Sequence, residues 1–511
     1  FFGTATAEVS DTGRTGKVNV VNVSDRAVAT TVSLAPIVDT GFGVPLSDGG
    51  MGTPVSCSPN QLFSITLHTH PSGATKAYVT HVCAAPQGPV NPLTNVFAAV
   101  SVIDTATNTE DTGQAGTAAL SRLIAAQGTA TSNLLGVPVG MDFRPGTNVA
   151  YLASQAGDTV QRINYRNLTD GRGPIVLGPD SAFAQMSTRG TGGIKVPLGI
   201  VVAHSTQFAY VANWAERSLS IVDLAVQGFD QDVVSEALPA ANSQAEKVND
   251  GLKFFFTGTG RWATRSVNSC GSCHPDGLSD QITWLFAAGP RQSTPLDGTY
   301  SKTTPGDQRV LNWTGIFDEM HDFELNTRGT AGGVGAIVTN TAPQNSSRFA
   351  LDVGQSLDGG LTNITRNDFL SGSTKSVVAV TVLKDWNEVD EYTKTIKPLK
   401  APRGLDQMAI VRGRALFDTH NCEFCHGGSK WTNSTVPYTP SPEKNGSATG
   451  TNVVVASGLR TQTRMGQLTG MQAAQNTDTL KVAVETGVMF PDGGTGNVGP
   501  ERITCVVRNV G

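Results

Sequence analysis

The sequence is poor in charge, in aromatics and in long apolar runs. Only 15 % of its 511 residues are charged and 6 % aromatic. The formal net charge is −5 and the isoelectric point is near 5.9. A nucleic-acid binder normally carries a basic stripe, so this class is excluded. Charge is also too sparse for a chain kept open by self-repulsion. No run of 18 apolar residues occurs; the longest mostly apolar stretch lies near Val377–Leu383 and is broken by Thr381. The sequence therefore predicts no membrane-spanning helix. Neither a collagen repeat nor a heptad is present; the start at Phe1, without a charged n-region or apolar h-region, is read as that of a chain whose signal peptide has been removed. What remains is a glycine-rich, multi-domain globular chain, with 57 glycines.

Cysteine is scarce too, at seven residues, but four of the seven are patterned. They form Cys270-Gly-Ser-Cys273-His274 and Cys422-Glu-Phe-Cys425-His426. With so few cysteines and histidines, chance gives one such pattern about once in several hundred chains, and two on the order of once in a million. The chemistry that needs this spacing is covalent c-type haem attachment. Two thiols add across the two vinyl groups of one haem, and the next histidine sits beneath the iron. A thioredoxin-like pair needs neither the histidine nor a second copy. A four-cysteine zinc site leaves both histidines unexplained. A disulfide across two residues is strained. The expectation is two covalently bound haems, with His274 and His426 as proximal ligands. Attachment occurs after export, which places the protein in the periplasm or outside the cell of a bacterium. A disulfide between Cys57 and Cys83 fits such an oxidising compartment; Cys505 is left over.

Residues 1–243 read as β structure. Short β-branched runs end in polar turns, as at Val102-Ile103-Asp104-Thr105 and Ser220-Ile221-Val222-Asp223-Leu224. Strands starting Ala-Tyr recur at Tyr78, Tyr151 and Tyr210, the last two 59 residues apart. This long all-β repeat predicts propeller blades rather than a generic sandwich, and it resembles the YVTN-type β-propeller family. His68 and His70 share a strand face here, with His81 nearby. That spacing suits a metal or an extra haem, against the commoner reading as surface or turn histidines. From about residue 245 the period changes. Leu252, Phe255 and Phe256 make a helical stripe, Trp386, Val389, Tyr392 and Ile396 another, and Gly-x-x-apolar-Phe precedes each haem motif, at Gly251 and Gly413. Pro398 and Pro402 mark a linker. Two mostly helical domains are expected, 244–400 and 401–511.

Several short motifs follow in order: Cys270-Gly-Ser-Cys-His-Pro-Asp-Gly-Leu-Ser-Asp280, Gly289-Pro-Arg-Gln-Ser-Thr-Pro-Leu-Asp-Gly298, Leu311-Asn-Trp313-Thr-Gly and Asp318-Glu-Met-His-Asp-Phe-Glu324. With Gly413-Arg-Ala-Leu-Phe and Cys422-Glu-Phe-Cys-His-Gly-Gly-Ser-Lys-Trp431, residues 245–511 resemble the bacterial dihaem cytochrome c peroxidase family, which includes the MauG-type enzymes. The resemblance implies a β-propeller followed by two class I-like cytochrome c domains. It implies that the His426 haem feeds electrons to a reactive His274 haem, with Trp313 between them. His321 is the candidate distal ligand of the first haem, beside Met320. It stands in an acidic cluster of Asp318, Glu319, Asp322 and Glu324, where Glu324 is the candidate acid–base catalyst; a solvated helix end is the plainer reading. For the second haem the candidate is Met489, ahead of Met465 and Met471, with His420 a bystander. A calcium ion between the haem domains is a further family feature, for which Gly329–Gly335 and nearby acids offer no diagnostic spacing. Against that family the ending at Cys505–Gly511 is abrupt, which leaves the second distal ligand open. The expected activity is peroxide reduction or a peroxide- or oxygen-linked oxidation, supplied by a small cytochrome or cupredoxin. The alternative is a non-catalytic conduit within a larger redox assembly, with the propeller as docking platform.

Overall fold

A computed structural model describes residues 15–45, 51–87, 90–113, 115–125, 134–168, 175–176, 194–259, 262–286, 289–300, 320–323, 330–332, 338–339, 350–351, 384–397 and 401–422. Backbone contacts divide the chain into two units. The first holds 1–293 and takes in 326–334; described residues of 294–325 and of 361 onward belong to the second.

The first unit is built from antiparallel meanders. A hairpin of β1 (Lys17–Val21) and β2 (Val28–Ser33) comes first, then a short one of β3 (Gly43–Pro45) and β4 (Met51–Pro54). The first large sheet runs β5 (Ser58–Thr69), β6 (Thr75–Ala84), β7 (Val96–Asp104) and β8 (Thr109–Glu110), with β9 (Ala118–Ala119) also on β7. After α1 (Ser121–Ala125), the second sheet is β10 (Pro138–Phe143), β11 (Val149–Ser154), β12 (Thr159–Asn164) and β13 (Ile175–Val176). The third is β14 (Pro197–Val202), β15 (Phe208–Asn213), β16 (Ser218–Asp223) and β17 (Gly228–Val234). The first strand of the second sheet, β10, lies between β5 and β14, so the sheets meet along their first strands in a propeller-like manner.

The turn chemistry repeats from sheet to sheet. Asp104, Asn164 and Asp223 each end a strand and accept a backbone N–H two residues on, from Ala106 (2.8 Å), Arg166 (3.0 Å) and Ala225 (2.7 Å). Four residues after each comes a left-handed residue, Asn108, Leu168 and Gln227, with φ of 54°, 53° and 59°. These side-chain turns reverse the chain where the β-branched run stops. The second and third sheets match more closely. Val137 and Asp158 have φ of 53° and 47°; Val196 and Arg217, 59 positions on, have 56° and 49°. Both first strands also carry a bulge after their proline, at Pro138 and at Pro197.

The core fills the space between sheets. Tyr78 packs on Phe143 and Tyr165 at centroid distances of 4.6 and 4.7 Å, among buried Phe97, Val100, Val102, Leu152 and Ile163. Tyr151 anchors the next layer with Val160, Val211 and Val222. Cys57 and Cys83 are joined in a disulfide, as their positions suggested, closing 26 residues across β5 and β6.

The two mostly helical cytochrome domains expected after residue 243 are not what the chain forms. Among the described residues 39 % are strand and 18 % helix, and the helices number five. The apolar stripes that suggested helices do form them, but only locally. The first gives α2 (Gln244–Phe256), in which Leu252, Phe255 and Phe256 are buried. The chain then meets Gly258, Pro275 and Gly277, with left-handed Arg265, Ser266, Asp276 and Gln281, and no helix can continue through them. It forms instead the one-turn α3 (Cys270–Cys273) and a hairpin of β18 (Thr283–Phe286) and β19 (Gly289–Gln292). In the second unit β20 (Val338–Thr339) pairs with β21 (Ala350–Leu351). There α4 (Lys384–Thr393) buries Trp386, Val389 and Tyr392 and contacts the 3-10 turn Met320–Phe323. The last helix, α5 (Gln407–Thr419), is capped by Asp406, whose side chain accepts from Met408 N at 2.9 Å.

Candidate functional site

The first cysteine pair is built from α2 outward. Ser243 caps that helix, accepting from Glu246 N at 3.1 Å, while the Glu246 carboxylate accepts from Asn242 N at 2.6 Å. The helix is seated on the turn of the third sheet. Lys253 pairs with Glu216 (3.1 Å) and Asp250 (3.5 Å), Asn249 donates to Ala215 O (3.1 Å), and the rings of Trp214 and Phe256 meet at 5.5 Å, tilted by 43°. Lys253 and its two carboxylates are nearly buried, so removing one partner would cost about 3–5 kcal/mol. The next residues lie against the turn of the second sheet, where Gly258 N donates to Ala156 O (2.8 Å) and Leu134 N to Arg265 O (2.5 Å).

On this base the Cys270–His274 turn closes tightly. His274 N donates to Cys270 O (2.9 Å) and Ser269 N to Ser272 Oγ (2.9 Å). Gly271 is required by space: a Cβ there would lie 2.6 Å from Cδ1 of Phe256. The thiols of Cys270 and Cys273 are not disulfide-bonded. Burial pushes the Cys270 thiol up to about 11, and burial with the nearby Asp280 charge pushes Cys273 well above the ordinary thiol range. Both are therefore protonated at neutral pH.

His274 carries the most telling geometry. Its Nδ1 lies 3.1 Å from Leu278 O. A carbonyl only accepts, so Nδ1 carries the hydrogen, which in the neutral ring leaves the lone pair on Nε2. This is the tautomer in which a histidine ligates a metal through Nε2, with its other nitrogen oriented by a backbone carbonyl. Phe255 flanks the ring at 6.5 Å. The loop after it is fixed by Asp280. Its N–H donates to Cys273 O (3.0 Å), and its carboxylate accepts from Trp284 Nε1 (2.8 Å), Ser293 Oγ (2.7 Å) and Ile282 N (3.0 Å). Two unbonded thiols on one turn and a histidine in the ligating tautomer fit a c-type haem.

The remaining candidates fall elsewhere. Cys422 follows α5, its N–H bonded to Phe417 O (2.9 Å), and is not disulfide-bonded; His420 caps the same helix. Cys425, His426, Trp313, Glu324, Met465, Met471, Met489 and Cys505 lie outside the described residues. His321 is in the turn Met320–Phe323 of the second unit, while Cys270–His274 is in the first. His68 and His70 are tied to the second sheet: His68 Nε2 contacts Thr147 O (2.8 Å), and His70 bonds Asn148 (2.6 Å) and Tyr78 (2.5 Å). His81 is buried against Ser101 and held down to about 4 by desolvation. Among the described residues no three His, Cys, Asp or Glu side chains gather as a metal site.

What the sequence did not signal is that the first sheet touches the cysteine motif. Gln61 donates through Nε2 to Ser272 O, and Asn60 Nδ2 to Asp280 O (3.4 Å). Phe63 and Cys273 pack on one cluster with Val82, Val96, Ile282 and Trp284.

No family model matches the sequence, and no curated protein matches it. Solved structures overlap it partially. A hydrazine synthase from Kuenenia stuttgartiensis is 14 % identical, over 43 % of this chain and 70 % of that one, at a TM-score of 0.23. Apo AztD from Citrobacter koseri is 10 % identical, over 43 % and 57 %, at 0.20. The dihydro-heme d1 dehydrogenase NirN in complex with DHE is 11 % identical, over 46 % and 47 %, at 0.20. At these scores the overlaps carry no argument about what this chain does.

Proposed function

We propose that the protein is an exported redox protein of the dihaem cytochrome c peroxidase kind, holding one c-type haem at Cys270, Cys273 and His274 and another at Cys422, Cys425 and His426. The observation that carries this reading is the 3.1 Å contact of His274 Nδ1 with Leu278 O, beside two thiols that are not disulfide-bonded. Bound there, haem supplies one-electron exchange and, where its iron has an open face, reduction of peroxide with two electrons and two protons to two waters. The chain's own residues do the rest. Cys270 and Cys273 would tether the haem and His274 would ligate it through Nε2, while Leu278 O orients the ring and Asp280 locks the loop to β18. By resemblance, Trp313 would serve electron transfer from the second motif, and His321 and Glu324 would serve the distal side of the first. A small cytochrome or cupredoxin is the donor that chemistry fits. The Cys57–Cys83 disulfide supports an oxidising compartment, periplasmic or extracellular.

The purified protein should carry two haems, one on each cysteine-motif peptide by mass, and Cys422→Ala should destabilise or remove the second. A Cys270 peptide without haem would overturn the proposal. Mixed-valence protein is then titrated with hydrogen peroxide while the Soret band is followed. Turnover is expected. No turnover and no high-spin signal would leave an electron conduit in place of a peroxidase.

A further inference from the structure

β5 is an irregular strand, and its irregularity is local. Its pairing with β6 slips twice, between Asn60 and Leu62 and between Leu62 and Ser64. Gln61 and Phe63 are the residues left out of register. A bulge re-aims the side chain it carries. Both re-aimed side chains meet the cysteine motif, which lies more than 200 residues further along the chain. Gln61 reaches Ser272 O, in the middle of Cys-Gly-Ser-Cys-His, and Phe63 packs in the cluster that holds Cys273. Asn60 beside them bonds Asp280 O.

Gln61 is held in this position against two local costs. Its φ is 43°, in the left-handed region that side chains avoid, and its Oε1 is buried without a hydrogen-bond partner. Such costs persist where surrounding structure over-determines the residue, typically at functional sites. What the geometry secures is the far end of a one-turn helix. Ser272 O is one of the carbonyls such a short helix leaves unpaired, and Gln61 Nε2 caps it. With Asn60 on Asp280, the strand grips the chain on both sides of His274.

We propose that Gln61 is a positioning residue for haem at Cys270–His274, acting through the Ser272 carbonyl to hold the His274 ring under the iron. The inference rests on haem attachment at this motif. It makes the first sheet a wall of the haem site rather than a platform attached to it.

The test uses the full chain in a C422A/C425A background, so that only the first motif reports. The reference protein, Q61A, Q61M and Q61G are compared in two measurements. One is the acid midpoint at which the His274–iron absorption is lost; the other is the melting temperature. Q61M keeps the length of the side chain but removes the donor at every pH. Q61G removes the amide and also the left-handed strain. Loss of one hydrogen bond should let protons displace His274 at about fivefold lower proton concentration in all three, with Q61G melting no lower than Q61A. An acid midpoint equal to the reference in Q61A and Q61M, whatever their melting temperatures, would reduce Gln61 to a structural contact and overturn the inference. Absence of haem from the Cys270 peptide of the reference protein would instead defeat the attachment reading beneath it. Should Q61A not fold, Q61M decides.

Discussion

At the scale of single residues, the cysteine motif tolerates little. The first spacer residue is glycine because Phe256 occupies the place of a side chain. Gly271→Ala should cost about 1–3 kcal/mol by overpacking, read as a lower urea midpoint, and Phe256→Leu should restore most of it. A G271A protein as stable as the original would show that the turn yields there. Cys270, Cys273 and His274 stand out in the sequence because the proposed covalent attachment demands fixed residue types at fixed spacing. The Cys57–Cys83 pairing was legible from the shared place of the two cysteines in the β half together with the chemistry of an oxidising compartment. Gln61 was not: a glutamine within Ser-Pro-Asn-Gln-Leu-Phe has no sequence mark, since its importance comes from a bulge and a partner far along the chain.

Among elements, the repeating turns explain why the β half could be read. An Asp or Asn after a β-branched run bonds the backbone two residues on, and that local bond sets the reversal before any packing is known. The connection between the second and third sheets is less visible. Asp158 is buried, and its carboxylate accepts from the N–H groups of both Lys195 (3.0 Å) and Val196 (2.9 Å), just before β14. Asp158→Ala would leave both donors buried and unpaired. A loss of about 2–4 kcal/mol is expected in urea unfolding, with Asp158→Asn between the two. The helices misled for a related reason. The stripes at Leu252–Phe256 and Trp386–Tyr392 are true, but glycine, proline and left-handed residues confine the first to its own length. A period that holds over one segment does not carry past Gly258, Pro275 and Gly277.

For the whole molecule, the consequence is that residues 244–293 belong with the sheets. Ile282 and Trp284 cover Val82, Ala84 and Val96, and Val267 joins the core that includes Leu134 and Leu135. A fragment ending at residue 243 should expose those faces, bind a hydrophobic dye and be less stable by at least about 3–6 kcal/mol than one ending at 293. Equal melting temperatures would show the sheets to be self-sufficient. The contact between Gln61 and Ser272 also has a meaning in time. The two residues are 211 positions apart, so as the chain emerges from its N-terminal end the first is delivered well before the second. Through that interval β5 can pair with β6 while its bulges wait without a counterpart. The turn that carries Cys270 and Cys273 arrives later, and its thiols are shielded only when the strand closes on it. A haem joined to them, as proposed, would have to be joined before that closure, with the bulged strand as the latch that ends the opportunity.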